Sequence, residues 1–80
     1  MRYKIIDTYH HHNTQRYIAK CLKPHSPLFI TLESERTLCK EIDIIDVDLE
    51  TNKATWATGE KISLNVLNQF DHLEKIYELN

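Results

Sequence analysis

Histidine and cysteine carry the most obvious chemistry in this chain, and four of its histidines (His10, His11, His12 and His25) crowd around Cys21 in sequence. Imidazole and thiolate are the usual zinc ligands. Three consecutive histidines cannot all turn toward one ion from an extended or helical backbone, and no second ligand pair stands at zinc-finger spacing. No metal or cofactor is therefore expected. The run reads instead as an exposed polar arm that gains positive charge below about pH 6.5. Cys39 and His72 are the other pairing to consider, as nucleophile and base. Cys39 falls in a predicted strand with no strained turn to activate it, and His72 sits where hydrogen bonding at the close of a sheet is the expected role. The single glycine, Gly59, cannot build a phosphate-cradling loop. The residue types point to a protein that is not an enzyme.

A second constellation is acidic. In KEIDIIDVDLETNK, residues 40–53, the side chains Glu41, Asp43, Asp46, Asp48 and Glu50 are all carboxylates, with no lysine or arginine among them. The apolar register within this stretch slips by one residue, from Ile42 and Ile44 to Ile45, Val47 and Leu49. No Gly, Pro or Asn marks a turn before Thr51 and Asn52, so the slip predicts a β-bulge at Ile44 and Ile45 within one long strand from about Thr37 to Leu49. A long bent strand of this kind lets a small sheet curl into a barrel.

The elements that would position these groups follow from periodicity. Residues 1–13 show only the short apolar pulse of Ile5 and Ile6 and are expected to form a loosely packed arm. Tyr17, Ile18, Cys21 and Leu22 recur at helical spacing behind Asn13 or Thr14 as cap, which predicts a short amphipathic helix over residues 14–23 that Pro24 ends. Its outer face would carry Arg16 and Lys20. LFITLE, residues 28–33, alternates as a strand, and a tight turn over Ser34 and Glu35 should lead into the long second strand. The turn ETNK precedes KATWAT, with Trp56 expected to anchor the core. Gly59 marks the next turn and KISLNV, residues 61–66, the next strand. A short closing strand around Phe70 to Leu73 and a frayed or helical tail over residues 74–80 complete the plan. The fold class is mainly β with some α: a small Sm-like or SH3-like antiparallel barrel of about five strands, spanning residues 28–73, behind a short N-terminal helix. Trp56, Leu32, Ile42, Leu64 and Phe70 are the expected core.

Eighty residues make a single domain, and a chain this short buries roughly 60% of its unfolded surface. With 41% hydrophobic and 28% charged residues it has the composition of a folded globular protein. No apolar run is long enough to span a membrane, and a cytoplasmic location is expected, where Cys21 and Cys39 would remain thiols. The net charge of −2 conceals segregation: residues 1–24 carry five cations against Asp7, whereas residues 25–80 carry five cations against eleven acids. Segregated charge bears on partners rather than on fold.

From about Tyr17 to Glu74 the chain resembles the Rof family, small bacterial proteins that bind the transcription terminator Rho and inhibit it. The resemblance is carried by YIAKC, by PLFITLE, by the single glycine before a strand, and most specifically by LNVLNQFDHLE. A looser likeness to YolD-like proteins points to the same barrel. The resemblance implies a non-enzymatic regulator of transcription that occupies the cationic sites where the Rho hexamer first grips RNA. The partner-binding residues it implies are Gln15, Arg16 and Lys20 on the helix, and Asp46, Asp48, Glu50, Asn52 and Lys53 on the bent strand and the ETNK turn. The chain departs from the family before the helix, where HHHNTQRYIAKC replaces a segment rich in Asp and Glu. That helix must either turn away from a cationic partner or meet acidic side chains on it. The alternative is RNA, or another protein, bound through the basic helix and arm. The protein itself is expected to be a monomer.

Overall fold

In the computed structural model, which describes residues 1–57 and 64–72, six antiparallel strands close a barrel in the order β1-β2-β3-β6-β5-β4. They are β1 (Arg2–His11), β2 (Thr14–Cys21), β3 (Phe29–Ser34), β4 (Ile44–Asp48), β5 (Lys53–Trp56) and β6 (Leu64–Phe70). No helix occurs among the described residues. The mainly β, antiparallel barrel expected from the sequence is observed, and the N-terminal helix is not.

Residues 1–13 are not an arm. Arg2-Tyr3-Lys4-Ile5 alternates polar and apolar, and Tyr3 and Ile5 are fully buried. β1 then turns directly into β2 through His12 and Asn13, whose φ values of 51° and 67° are those of a two-residue type I′ hairpin. Asn tolerates this left-handed region better than most residues, so Asn13 turns a hairpin here rather than capping a helix. Residues 14–22 become a strand for a related reason. Tyr17, Ala19 and Cys21 fit a period of two as well as Tyr17, Ile18, Cys21 and Leu22 fit a helix, and two neighbouring strands supply the hydrogen bonds that a short isolated helix would lack. Ile18 is also buried, which blurs the alternation.

The long second strand is also corrected. Chain reversal occurs at residues 40–42, and β4 begins only at Ile44. The register slip therefore marks the end of a turn, which sequence reading missed because Glu41, at φ 66°, fills a position where Gly or Asn would have announced it. That turn is held from outside: the Glu41 amide donates to the Ile5 carbonyl at 2.7 Å, the Ile5 amide to the Asp43 carbonyl at 2.9 Å, and the Lys4 ammonium lies 3.0 Å from the Glu41 carboxylate. Bulges do occur, but between Ile5 and Asp7 in β1 and opposite Thr31 and Leu32 in the β3–β6 pair. Cys39 accordingly lies exposed in a loop, not within a strand, whereas Cys21 is a buried thiol.

The core joins Tyr3, Ile5, Tyr17, Ala19, Ile30, Leu32, Ile45, Val47, Leu64 and Val66 inside the barrel. Leu32 and Leu64 lie there as expected. Ile42, expected there too, is 73% exposed. Trp56 packs against the cluster only in part, with the Arg36 guanidinium 5.7 Å from its ring centre, and Phe70 is half-buried and stacks on Phe29 across the β3–β6 pair. The expected strand over residues 61–66 and the closing strand around residues 70–73 are replaced, within the described residues, by the single strand β6. Gly59, Ile62 and the tail from residue 73 onward lie outside the described residues.

The connection from β2 to β3 is stapled at one end of the barrel. The Tyr3 hydroxyl donates to the Pro27 carbonyl at 2.6 Å, and the Asp71 carboxylate accepts from the Leu28 amide at 2.8 Å and the Ser26 hydroxyl at 3.1 Å. Burial first, then the nearby Cys21 and Asp71, push the Tyr3 phenol up to about 12.

Two expectations follow. Leu32→Ala should cost about 2–5 kcal/mol in denaturant unfolding, whereas Ile42→Ala, at an exposed position, should stay within about 0.5 kcal/mol. The second concerns pH. Because the Tyr3 pKa is raised to about 12 in the folded protein, an unfolded chain releases that proton first, near pH 10. The stability linked to Tyr3 is thus complete below about pH 10 and lost as pH rises through the folded value. Unfolding midpoints measured across alkaline pH should fall over this window, and Tyr3→Phe, with no proton to lose, should show the shallower decline.

Candidate partner-binding surface

Eight residues were expected to share one binding surface, and the barrel divides them between two walls. Asp46 and Asp48 point outward from β4, because Ile45 and Val47, which alternate with them, point into the core. Glu50 and Asn52 follow in the β4–β5 turn, and Lys53 opens β5 directly opposite Asp48. Gln15, Arg16 and Lys20 lie on β2, which in the closed order stands across the barrel from β5.

The acidic wall is held rigidly. One Asp48 carboxylate oxygen accepts from the Glu50 amide at 3.0 Å and from the Thr51 amide at 3.4 Å, fixing the start of the turn. Asn52, at φ 57°, completes it. Its side-chain oxygen accepts from the Gln69 amide group at 2.7 Å, and its carbonyl accepts from the Val66 amide at 3.0 Å. Asn52 therefore ties the turn to β6 and orients its neighbours. The Met1 ammonium lies 3.5 Å from Asp46, whose carboxylate stays half-exposed, and Glu50 has no ion-pair partner among the described residues.

Not every carboxylate of the acidic stretch is available. Glu41 is paired with Lys4, and an Asp43 oxygen accepts from the Cys39 amide. The outward line is thus Asp46, Asp48 and Glu50, with Lys53 beside it.

On β2, Arg16 is neutralised: its guanidinium donates to Glu33 at 3.2 Å across the β2–β3 pair. Gln15 donates to the Thr8 hydroxyl at 3.0 Å. Lys20 stands opposite Lys4. Sequence reading missed the contribution of Arg2 and Lys4, which project outward from β1 in alternation with the buried Tyr3 and Ile5. Their alternation in RYKI was the available signal.

His10 and His11 sit at the end of β1 and His12 in the hairpin turn, and no group of three or more His, Cys, Asp or Glu among the described residues could hold a metal ion. Local desolvation, with Arg16 and His12 nearby, holds His11 below the ordinary histidine range although Glu33 pulls the other way. Cys39 and His72 are both exposed, on a loop and after β6 respectively. A polar groove of about 470 Å³ at the hairpin end, lined by Asn13, Gln15, Tyr17, Glu33, Arg36 and Asn65 among others, contains no thiol or histidine.

Because the Asp48 carboxylate caps two amides, Asp48→Ala should cost about 0.5–2 kcal/mol, read from thermal or denaturant unfolding. Glu50→Ala, which removes no such bond, should be close to neutral.

No family model matches the chain, and neither a curated protein nor a solved structure matches it. No helix among the described residues is long and apolar enough to cross a membrane.

Proposed function

We propose that this chain is a non-enzymatic, cytoplasmic binding regulator of the Rof type, a small Sm-like barrel that masks the RNA-binding surface of the Rho hexamer and so inhibits Rho-dependent termination. The observation that carries this reading is the outward line of Asp46, Asp48 and Glu50 along β4 and its turn, held by the backbone capping described above. Carboxylates on a fixed strand can take the place of RNA phosphates at cationic sites, because both present oxygen acceptors to lysine and arginine donors. A pre-ordered strand and turn add little ordering cost on binding.

Two corrections to the sequence reading favour it. A basic helix in front of the barrel would have met a cationic partner with like charge, but no such helix is found, and Arg16 on β2 is already paired with Glu33. Lys20 lies two strands from β4, with β1 between them. The site is accordingly Asp46, Asp48, Glu50 and Lys53, positioned by Asn52, and Gln15, Arg16 and Lys20 belong to a separate wall.

The direct experiment is titration of the purified protein into a Rho-dependent termination assay, with co-elution on the Rho hexamer. Readthrough should rise with protein concentration. Reversal of all three acids, as Asp46→Lys, Asp48→Lys and Glu50→Lys, should keep the barrel's circular dichroism while slowing association at least ten-fold. Absence of any effect at tens of micromolar would reject the Rho assignment. RNA binding that weakens steeply with salt would instead favour the cationic wall as the active surface.

A further inference from the structure

At one end of the β1–β2 pair the outward side chains are cationic on both strands. Lys4 stands directly opposite Lys20, and Arg2 takes the next outward position along β1, beyond the buried Tyr3. Like charges set opposite one another in a sheet are destabilising. The Leu22 amide donates to the Arg2 carbonyl at 3.0 Å, which carries the pairing one step past β2. Leu22 is left 46% exposed, with Lys23 next in the chain. Two shallow grooves meet at this leucine. One, of about 510 Å³, is lined by Lys4, Ile6, Lys20, Cys21, Leu22 and Glu41, and the other, of about 480 Å³, by Met1, Arg2, Cys21, Leu22 and Lys23. Aliphatic ground bordered by charge is the anatomy of a protein interface.

The charge balance of the whole patch selects the sign of its occupant. Its cations are the Met1 ammonium, Arg2, Lys4, Lys20 and Lys23, and the acids beside them are Glu41 and, opposite Arg2 on β4, Asp46. Glu41 is engaged by Lys4 at 3.0 Å, and Asp46 by the Met1 ammonium at 3.5 Å. Arg2, Lys20 and Lys23 are left with no ion pair among the described residues, so the patch calls for anionic groups.

Its borders select the kind of anion. Asp46 and Asp48 run along β4 on one side, Asp7 follows Ile6 on β1, and the chain as a whole carries a net charge of −2. A long polyanion or an anionic bilayer extending past the patch would therefore meet like charge. No aromatic side chain lines either groove, so RNA bases would find nothing to stack on. A short extended peptide fits. Its alternate side chains recur about every 7 Å on one face, as Arg2 and Lys4 do on β1, so carboxylates at alternate positions meet the cations while an aliphatic side chain settles beside Leu22.

We infer that this groove binds an acidic, extended peptide segment of a partner protein, anchored by one aliphatic side chain against Leu22. This goes beyond the masking function and does not rest on it.

Fluorescence anisotropy with the full chain reads the proposal without Rho. The probe is a labelled eight-residue peptide with glutamate at its second, sixth and eighth positions, leucine at its fourth and serine elsewhere. Saturable binding is expected, with a Kd of about 10–300 μM. Lys20→Glu should weaken it about ten-fold or more, and the fold is kept because attraction to Lys4 replaces repulsion. Leu22→Ser, at an exposed position, should weaken it about five-fold or more, as should replacing the peptide's leucine by serine. Failure to saturate at about 1 mM peptide would overturn the proposal, as would either variant binding as the wild type does. Tighter binding of a single-stranded oligouridylate, or of phosphatidylglycerol vesicles, than of the peptide would overturn it too. All of these results are independent of the Rho-dependent termination assay.

Discussion

The pairing of β1 with β4 is the contact on which the rest depends. It joins the start of the chain to its middle through the partners Arg2 and Asp46, Tyr3 and Ile45, and Lys4 and Ile44. Amides of Ile5, Glu41 and Val47 extend it at both ends. Without this seam the remaining strands would form an open sheet with two exposed edges, a less stable arrangement prone to unwanted pairing. Closure also decides what is buried. Tyr3 and Ile5 enter the core only because β1 lies in the wall, and Tyr3 in turn holds the β2–β3 connection through its hydroxyl.

Closure likewise sets the electrostatics. The cations that cluster in the first part of the sequence are distributed over β1 and β2, and the acids of the middle part line β4. The segregation of charge along the chain is converted into adjacent strips on one barrel. Internal pairing then sorts the groups: Glu33 with Arg16 and Glu41 with Lys4 are satisfied within the molecule, Asp46 has the Met1 ammonium at 3.5 Å while staying half-exposed, and Asp48, Glu50 and Arg2 face outward. These few side chains give the surface its capacity to recognise charge, and the proposed partner masking draws on them.

Much of this was legible in the sequence where a segment had only one sensible period. LFITLE alternates and forms β3, Leu32 and Leu64 are core, and Asn52 closes the β4–β5 turn. The first quarter of the chain misled because its signals were shared. YIAKCL suits both a helix and a strand, and only the neighbouring strands settle the choice. His12 and Asn13 turn a hairpin without glycine, and Glu41 turns a loop without glycine, proline or asparagine. At Glu41, contacts distant in sequence, with Ile5 and Lys4, offset the local backbone cost. The candidate surface was legible in part: its acids were identified, but the group on β2 was assigned to the same surface because the ring order of the strands cannot be read from periodicity.

Residue-resolved amide hydrogen exchange, combined with cross-strand nuclear Overhauser contacts, tests closure most directly. The account expects the Ile5 and Val47 amides to exchange only through global unfolding, with backbone contacts between Tyr3 and Ile45 and strand-type shifts over residues 14–21. Rapid exchange through residues 2–6, with helical shifts over residues 14–21, would show a frayed arm and an unclosed sheet and would contradict it.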